Sequence, residues 1–210
     1  MYLWNPAIGD YKQLSTHVND DIIYIRGLGF GYVRISGKFK VLVISLRIPI
    51  QVEATATVYT VGTSSWRIIG EVKYPVLDLK QPQVFGGCPH WIVPSLKSIV
   101  SFGIGNEEFK KISMPPIGYT ITKRTNLTAL VGHFSIFCDV FKSKRFELWV
   151  KMDDGSENTN WRKQLSLNES YIPGDYFVNG YRERKLYGFK NDQFLLQNNR
   201  LALFDPVTSR

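Results

Sequence analysis

Three histidines, His17, His90 and His133, and two cysteines, Cys88 and Cys138, are the side chains of this chain best suited to metal or nucleophilic chemistry. Cys88 and His90 could supply two ligands of a metal site, but no other histidine, cysteine or carboxylate stands at the spacing that completes the set. In Gly27-Leu28-Gly29-Phe30-Gly31-Tyr32 the alternating glycines look superficially like a phosphate-binding loop. Such a loop needs a helix opening directly behind it, so that amide groups and the helix dipole meet the phosphate. Here the chain continues as β-type sequence, and a strand bend or bulge is the expected use of the glycines. No Gly-x-Ser-x-Gly elbow and no Ser-His-Asp arrangement is present. The residues thus predict no catalytic centre, no metal and no cofactor.

The elements around these residues read as strands. Apolar residues at helical spacing are sparse, whereas β-branched and aromatic residues alternate in short runs broken by Gly, Asn, Asp and Pro. Strands are expected over 22–26, 40–46, 56–61, 91–93, 99–104, 146–151 and 201–204. The chain is predicted to be all-β.

A repeat runs through these strands. Leu3-Trp4-Asn5-Pro6-Ala7-Ile8-Gly9-Asp10-Tyr11 is followed by Val58 to Trp66 and by Ser101 to Phe109, each with a second aromatic seven positions after the first. A fourth copy, Trp149 to Trp161, has a longer turn, and a fifth begins at Leu203-Phe204-Asp205-Pro206. The first aromatics stand 55, 43, 47 and 55 residues apart, close to the roughly 40–50 residues of one four-stranded propeller blade. In a blade the first aromatic ends an inner strand, the turn reverses the chain, and the second opens the outer strand. About four blades of antiparallel strands are expected, in an incomplete propeller.

Composition bounds the rest. The chain has 210 residues, 44% of them hydrophobic and 14% aromatic, enough for a sizeable core in one domain over 1–210. The balance of 26 basic against 18 acidic residues, a net charge of +8, favours acidic partners through non-specific attraction. Aromatics interleaved with Lys and Arg also suit nucleic-acid stacking, but their seven-residue pairing fits hairpin packing better. Two cysteines make no disulfide framework and no secretory leader is visible, so an intracellular protein is expected. Its apolar runs are too short to span a bilayer as helices, and the sequons at Asn126 and Asn168 are taken as chance matches.

The segments LWNPAIGDYKQL, GLGFGY, VYTVGTSSWRIIG, GGCPHWIV, IVSFGIGNEEFKKISMPP and FELWVKMDDGSENTNWRKQLSL resemble, in order, the type 1 F-box associated domain of plants. The resemblance implies a kelch-like β-propeller that recruits a target protein for a cullin-based SCF ubiquitin ligase, related in some members to S-locus F-box proteins. In complete members an N-terminal F-box docks on the Skp adaptor. Here Met1 and Tyr2 stand directly against LWNP, so the F-box is expected to be absent, with Skp and cullin as partners only if one is restored upstream. Gly103 replaces the family's usual Asp in the GNEEF turn.

Blade strand order assigns each loop to one of two faces. Connections from second to third strand and from blade to blade share a face, which would carry Lys97, Lys123, Arg124, Lys142, Lys144, Arg145, Arg182, Arg184 and Lys185 as a target-binding set. The opposite face would carry Asp10, Glu107, Glu108, Asp153, Asp154 and Glu157. The leading expectation is therefore a substrate-recognition module binding an acidic target. A truncated product that competes with complete relatives, or is inactive, is the alternative; a propeller enzyme is a third reading.

Overall fold

The computed structural model describes residues 1–14, 23–47, 54–63, 65–75, 82–117, 125–130, 132–140, 145–152, 160–168, 185–188, 194–197 and 201–204. Among the described residues, all the regular structure except a short 3-10 turn is antiparallel β. A hairpin of β1 (Tyr2–Asn5) and β2 (Asp10–Gln13) comes first. Three four-stranded sheets follow, each paired in chain order. The first holds β3 (Ile23–Val33), β4 (Lys38–Arg47), β5 (Ala54–Thr60) and β6 (Trp66–Val72). The second holds β7 (Gln83–Phe85), β8 (Cys88–Val93), β9 (Ser98–Gly103) and β10 (Glu108–Ser113). The third holds β11 (Asn126–Leu130), β12 (His133–Val140), β13 (Arg145–Met152) and β14 (Asn160–Asn168). A sheet of β15 (Lys185–Gly188), β16 (Phe194–Gln197) and β17 (Leu201–Phe204) ends the described chain.

The expected strands are all present, several of them longer than read from sequence. The largest extension is β3, which runs on through the glycines to Val33. Glycine lowers strand propensity, which hid the extension. The aromatic repeat is a set of cross-strand pairs: Trp4 lies opposite Tyr11, Tyr59 opposite Trp66 and Phe102 opposite Phe109. The Tyr59 and Trp66 rings are 5.3 Å apart, and those of Phe102 and Phe109 4.9 Å, both tilted, an arrangement that contributes about 0.5–1.5 kcal/mol beyond buried area. The fourth copy departs from this pattern because of its longer turn. Trp161 lies opposite Lys151, and Trp149 takes Lys163 over its ring at 4.9 Å. The Trp161 indole instead donates to the Ser113 carbonyl of β10 at 2.9 Å, tying the outer strand of one sheet to the outer strand of the sheet before it.

The sheets stack face to face. Leu42, Ile44, Ala56 and Val58 of the first meet Trp91, Phe102 and Ile104 of the second. On its other face the second sheet brings Ile99 against Phe134, Ile136 and Trp149 of the third. The third sheet's far face carries Phe137, Phe146 and Leu148, and β15 lies against β11. Leu3 and Leu14, flanking and ending the first hairpin, pack on Val41, Val43 and Tyr59.

The glycines of β3 set the spacing of the first junction. A bulge lies between Ile25 and Gly27, and beyond it the glycines face the β7–β8 hairpin. A Cβ on Gly29 would come 2.7 Å from Pro89 Cγ, and one on Gly31 would strike the Gly87 carbonyl. The expected bulge is there, but the close approach of a second sheet is what uses Gly29 and Gly31. Gly31→Ala should therefore destabilise the protein by roughly 1–3 kcal/mol in urea unfolding, as overpacking does. An ordinary exposed glycine would gain about 0.4–1 kcal/mol from the same change.

His90, on β8, fills the second junction with its ring 4.5 Å from that of Phe134. Burial pushes its pKa below the usual 6.5, outweighing the Cys88 and Gln83 backbone bonds that favour the charged form, and Lys151 lowers it further. With the folded pKa below the unfolded one, stability is full above pH 6.5 and falls as pH drops below it, because the unfolded chain takes up the proton first. His90→Phe should flatten that part of the stability profile in denaturation series run across this pH range.

Candidate target-binding face

Of the nine basic residues predicted to form a binding face, three lie in described backbone. Lys97 ends the 3-10 turn Pro94–Leu96, where proline presets the first φ. The turn closes when the Lys97 amide donates to the Pro94 carbonyl at 3.0 Å. Lys97 itself adopts φ 45° and ψ 46°, a left-handed conformation that costs a non-glycine residue about 1–2 kcal/mol. Arg145 opens β13, in register with Val140 of β12 and Asn168 of β14. Lys185 opens β15. Strand order puts all three at the end of their sheets where second-to-third connections and inter-sheet connections run. Lys97 and Arg145 are exposed, and among the described residues neither takes part in an ion pair. Lys123, Arg124, Lys142, Lys144, Arg182 and Arg184 lie outside the described residues.

The opposite end is organised by Glu107. It sits in the β9–β10 turn, where its amide closes onto the Gly103 carbonyl at 2.7 Å with φ at 59°. In the β1–β2 turn the same repeat position is Gly9, at φ 69°. Glu107 tolerates the conformation because its carboxylate reaches across to the first sheet. Lys40 of β4 bonds Oε1 at 2.7 Å, and Arg67 of β6 bonds Oε2. Burial opposes ionisation of this carboxylate, but the Lys40 and Arg67 bonds prevail and hold its pKa below the usual glutamate value. In the same turn Asn106 bonds Glu108 at 2.8 Å and occupies the space a Cβ on Gly103 would need. Gly103 thus makes room for the turn that presents Glu107.

Beside this bridge a cleft of about 260 Å³ opens between β6 and β10. Ala56, Ile69, Tyr74 and Phe109 line it together with Glu71 and Glu107. Ile69 enters the cleft at a bulge where β6 loses register with β5, and Gly70 stands at φ 147°. Sequence reading found neither cleft nor bridge. The signal was a glutamate in a turn position that glycine fills in the first copy of the repeat.

Among the described residues no group of three or more His, Cys, Asp or Glu is gathered as a metal site, and no helix is long and apolar enough to cross a membrane. Successive antiparallel sheets of about four strands, packed face to face, are the architecture of a β-propeller. The chain belongs to the F-box associated propeller family: the model described as "F-box associated beta propeller domain" matches residues 1–178. Domains of this family are typically non-catalytic binding modules. Among curated proteins, F-box protein At3g07870 of Arabidopsis thaliana is 23% identical over 244 aligned residues, which cover 97% of this chain and 56% of that protein. The chain therefore spans little more than half of that relative's length.

Glu107→Gln should lower stability at neutral pH by roughly 1–3 kcal/mol, since Lys40 loses its charged partner. A lowered carboxylate pKa supplies stability that is present above the unfolded value of about 4.5 and lost as pH falls through the folded one. The variant should accordingly lose less stability than the parent when urea midpoints are compared from neutral to acidic pH.

Proposed function

We propose that this chain is the substrate-recognition domain of an SCF-type ubiquitin ligase and captures an acidic target protein through its basic loop face. The observation that carries the reading is the exposed pair Lys97 and Arg145 on equivalent connections of adjacent sheets. By sequence, Lys142 and Lys144 share the second of these connections, and Lys123 and Arg124 lie in the connection between the two sheets. Clustered like charge of this kind raises encounter rates and selects partners of opposite sign. The chain binds and does no chemistry; delivery to the adaptor and cullin requires an F-box restored upstream. Residues 1–210 act as one domain, inside the cell.

Simultaneous reversal of Lys142, Lys144 and Arg145 to Glu tests this. In affinity capture from plant extract followed by mass spectrometry, the proteins held by the parent chain should be lost from the triple variant, with its circular dichroism and thermal midpoint unchanged. Capture by the parent should also weaken with added salt. An unchanged set of captured proteins would remove the basic face as the binding surface.

A further inference from the structure

The second aromatic of the repeat faces the preceding sheet, as Phe109 and Trp161 show. Trp161 of β14 packs beside Phe134 and donates its indole N–H to the Ser113 carbonyl of β10 at 2.9 Å, spanning the seam between those outer strands. Phe109 of β10 holds the equivalent place against the first sheet, beside Phe102. Ser113 stands four residues after Phe109, as Gly70 stands four after Trp66. Gly70 is thus the β6 counterpart of the residue that Trp161 reaches at the next seam. Phenylalanine is shorter than tryptophan and has no N–H to give, so Phe109 does not make the equivalent bond.

The cleft between β6 and β10 lies at this place. Gly70 stands opposite Ala56 on β5, so the pair at its base contributes a single methyl group, and a Cβ on Gly70 would meet nothing within 4 Å. Tyr74 and Phe109 wall the cleft with ring centres 6.0 Å apart and planes tilted by 57°, a geometry open to a third ring. Since a cavity of about 150 Å³ already accepts benzene, the 260 Å³ of this cleft admits an indole. Pockets for drug-sized molecules run from roughly 300 to 1,000 Å³. The cleft suits one large side chain instead.

The charges around it are unequal. Glu107 already meets two cations, Lys40 and Arg67. Lys73 lines the cleft together with Glu71, and Lys111 shares with Phe109 the face of β10 turned toward the first sheet. Both lysines are exposed, and among the described residues neither takes part in an ion pair. Four cations against two carboxylates favour a partner with acidic residues beside its anchor.

We propose that this cleft receives a tryptophan side chain from a partner protein, presented on a segment whose flanking residues are acidic. The partner's indole would fill at the first seam the place that Trp161 fills at the second, and a buried tryptophan is a common energetic centre of protein interfaces. None of the nine basic loop residues lines the cleft, so the proposal stands apart from the reading given for that face.

Fluorescence polarisation of the full chain with a labelled peptide, Asp-Glu-Gly-Trp-Gly-Glu-Asp, tests it. Saturable binding is expected, at least tenfold weaker when alanine replaces the peptide's tryptophan or lysine its acidic residues. Phe109→Trp, which fills the cleft from within, should weaken binding by a similar factor, as should Lys73→Glu combined with Lys111→Glu. Reversal of Lys142, Lys144 and Arg145 should leave binding unchanged; its loss there would assign the peptide to the loop face and overturn the proposal. No saturable binding at millimolar peptide, equal binding of the alanine or lysine peptide, or binding indifferent to Phe109→Trp would overturn it as well. Should Phe109→Trp lower the thermal midpoint, the exposed pair Lys73→Glu and Lys111→Glu decides.

Discussion

A sheet stacked between two others has to be apolar on both faces, and this constraint governs most of what is seen here. It is why Val41, Leu42, Val43 and Ile44 form an unbroken buried run, where a sheet with one wet face would alternate. It also divides adjacent residues between different neighbours: Trp91 faces the first sheet, and His90 beside it faces the third. Each fully buried Leu, Ile or Phe contributes about 1.5–3 kcal/mol, so the junctions and not the single hairpins hold the molecule together. Where strands crowd most closely the same constraint removes side chains altogether, as at Gly29 and Gly31.

The fold was readable because its repeat is written in aromatics at fixed spacing, and a cross-strand pair leaves a local trace. Trp4 with Tyr11, Tyr59 with Trp66 and Phe102 with Phe109 reported strand, turn and strand together. The reach of β3 was not readable, because its glycines answer to Pro89 and Gly87 more than fifty residues away. Nor was the partner of Trp161, since a longer turn moved it out of the register the earlier copies share. Of the candidate binding face, sequence supplied strand order and hence the grouping of the loops. The chemistry of such a face resides in connections, where no periodicity constrains residue type.

The two ends of the sheets differ in how their charges are used. At the Glu107 end, cations are spent internally: Lys40 and Arg67 join two sheets through one carboxylate. At the Lys97 and Arg145 end the cations face solvent among the described residues. A net charge of +8 thus tells less than its distribution. The left-handed backbone at both Glu107 and Lys97 fits this division, one strained turn serving the internal joint and the other an exposed corner.

The Trp161 to Ser113 bond also orders events during synthesis. Its partners are 48 residues apart, and the outer strand bearing Ser113 leaves the ribosome first. At roughly 5–20 residues per second, about 2–10 seconds pass before Trp161 is made. For that interval the earlier sheet is exposed to chaperones and to neighbouring nascent chains, and elongation rate sets how long its outer rim goes unguarded.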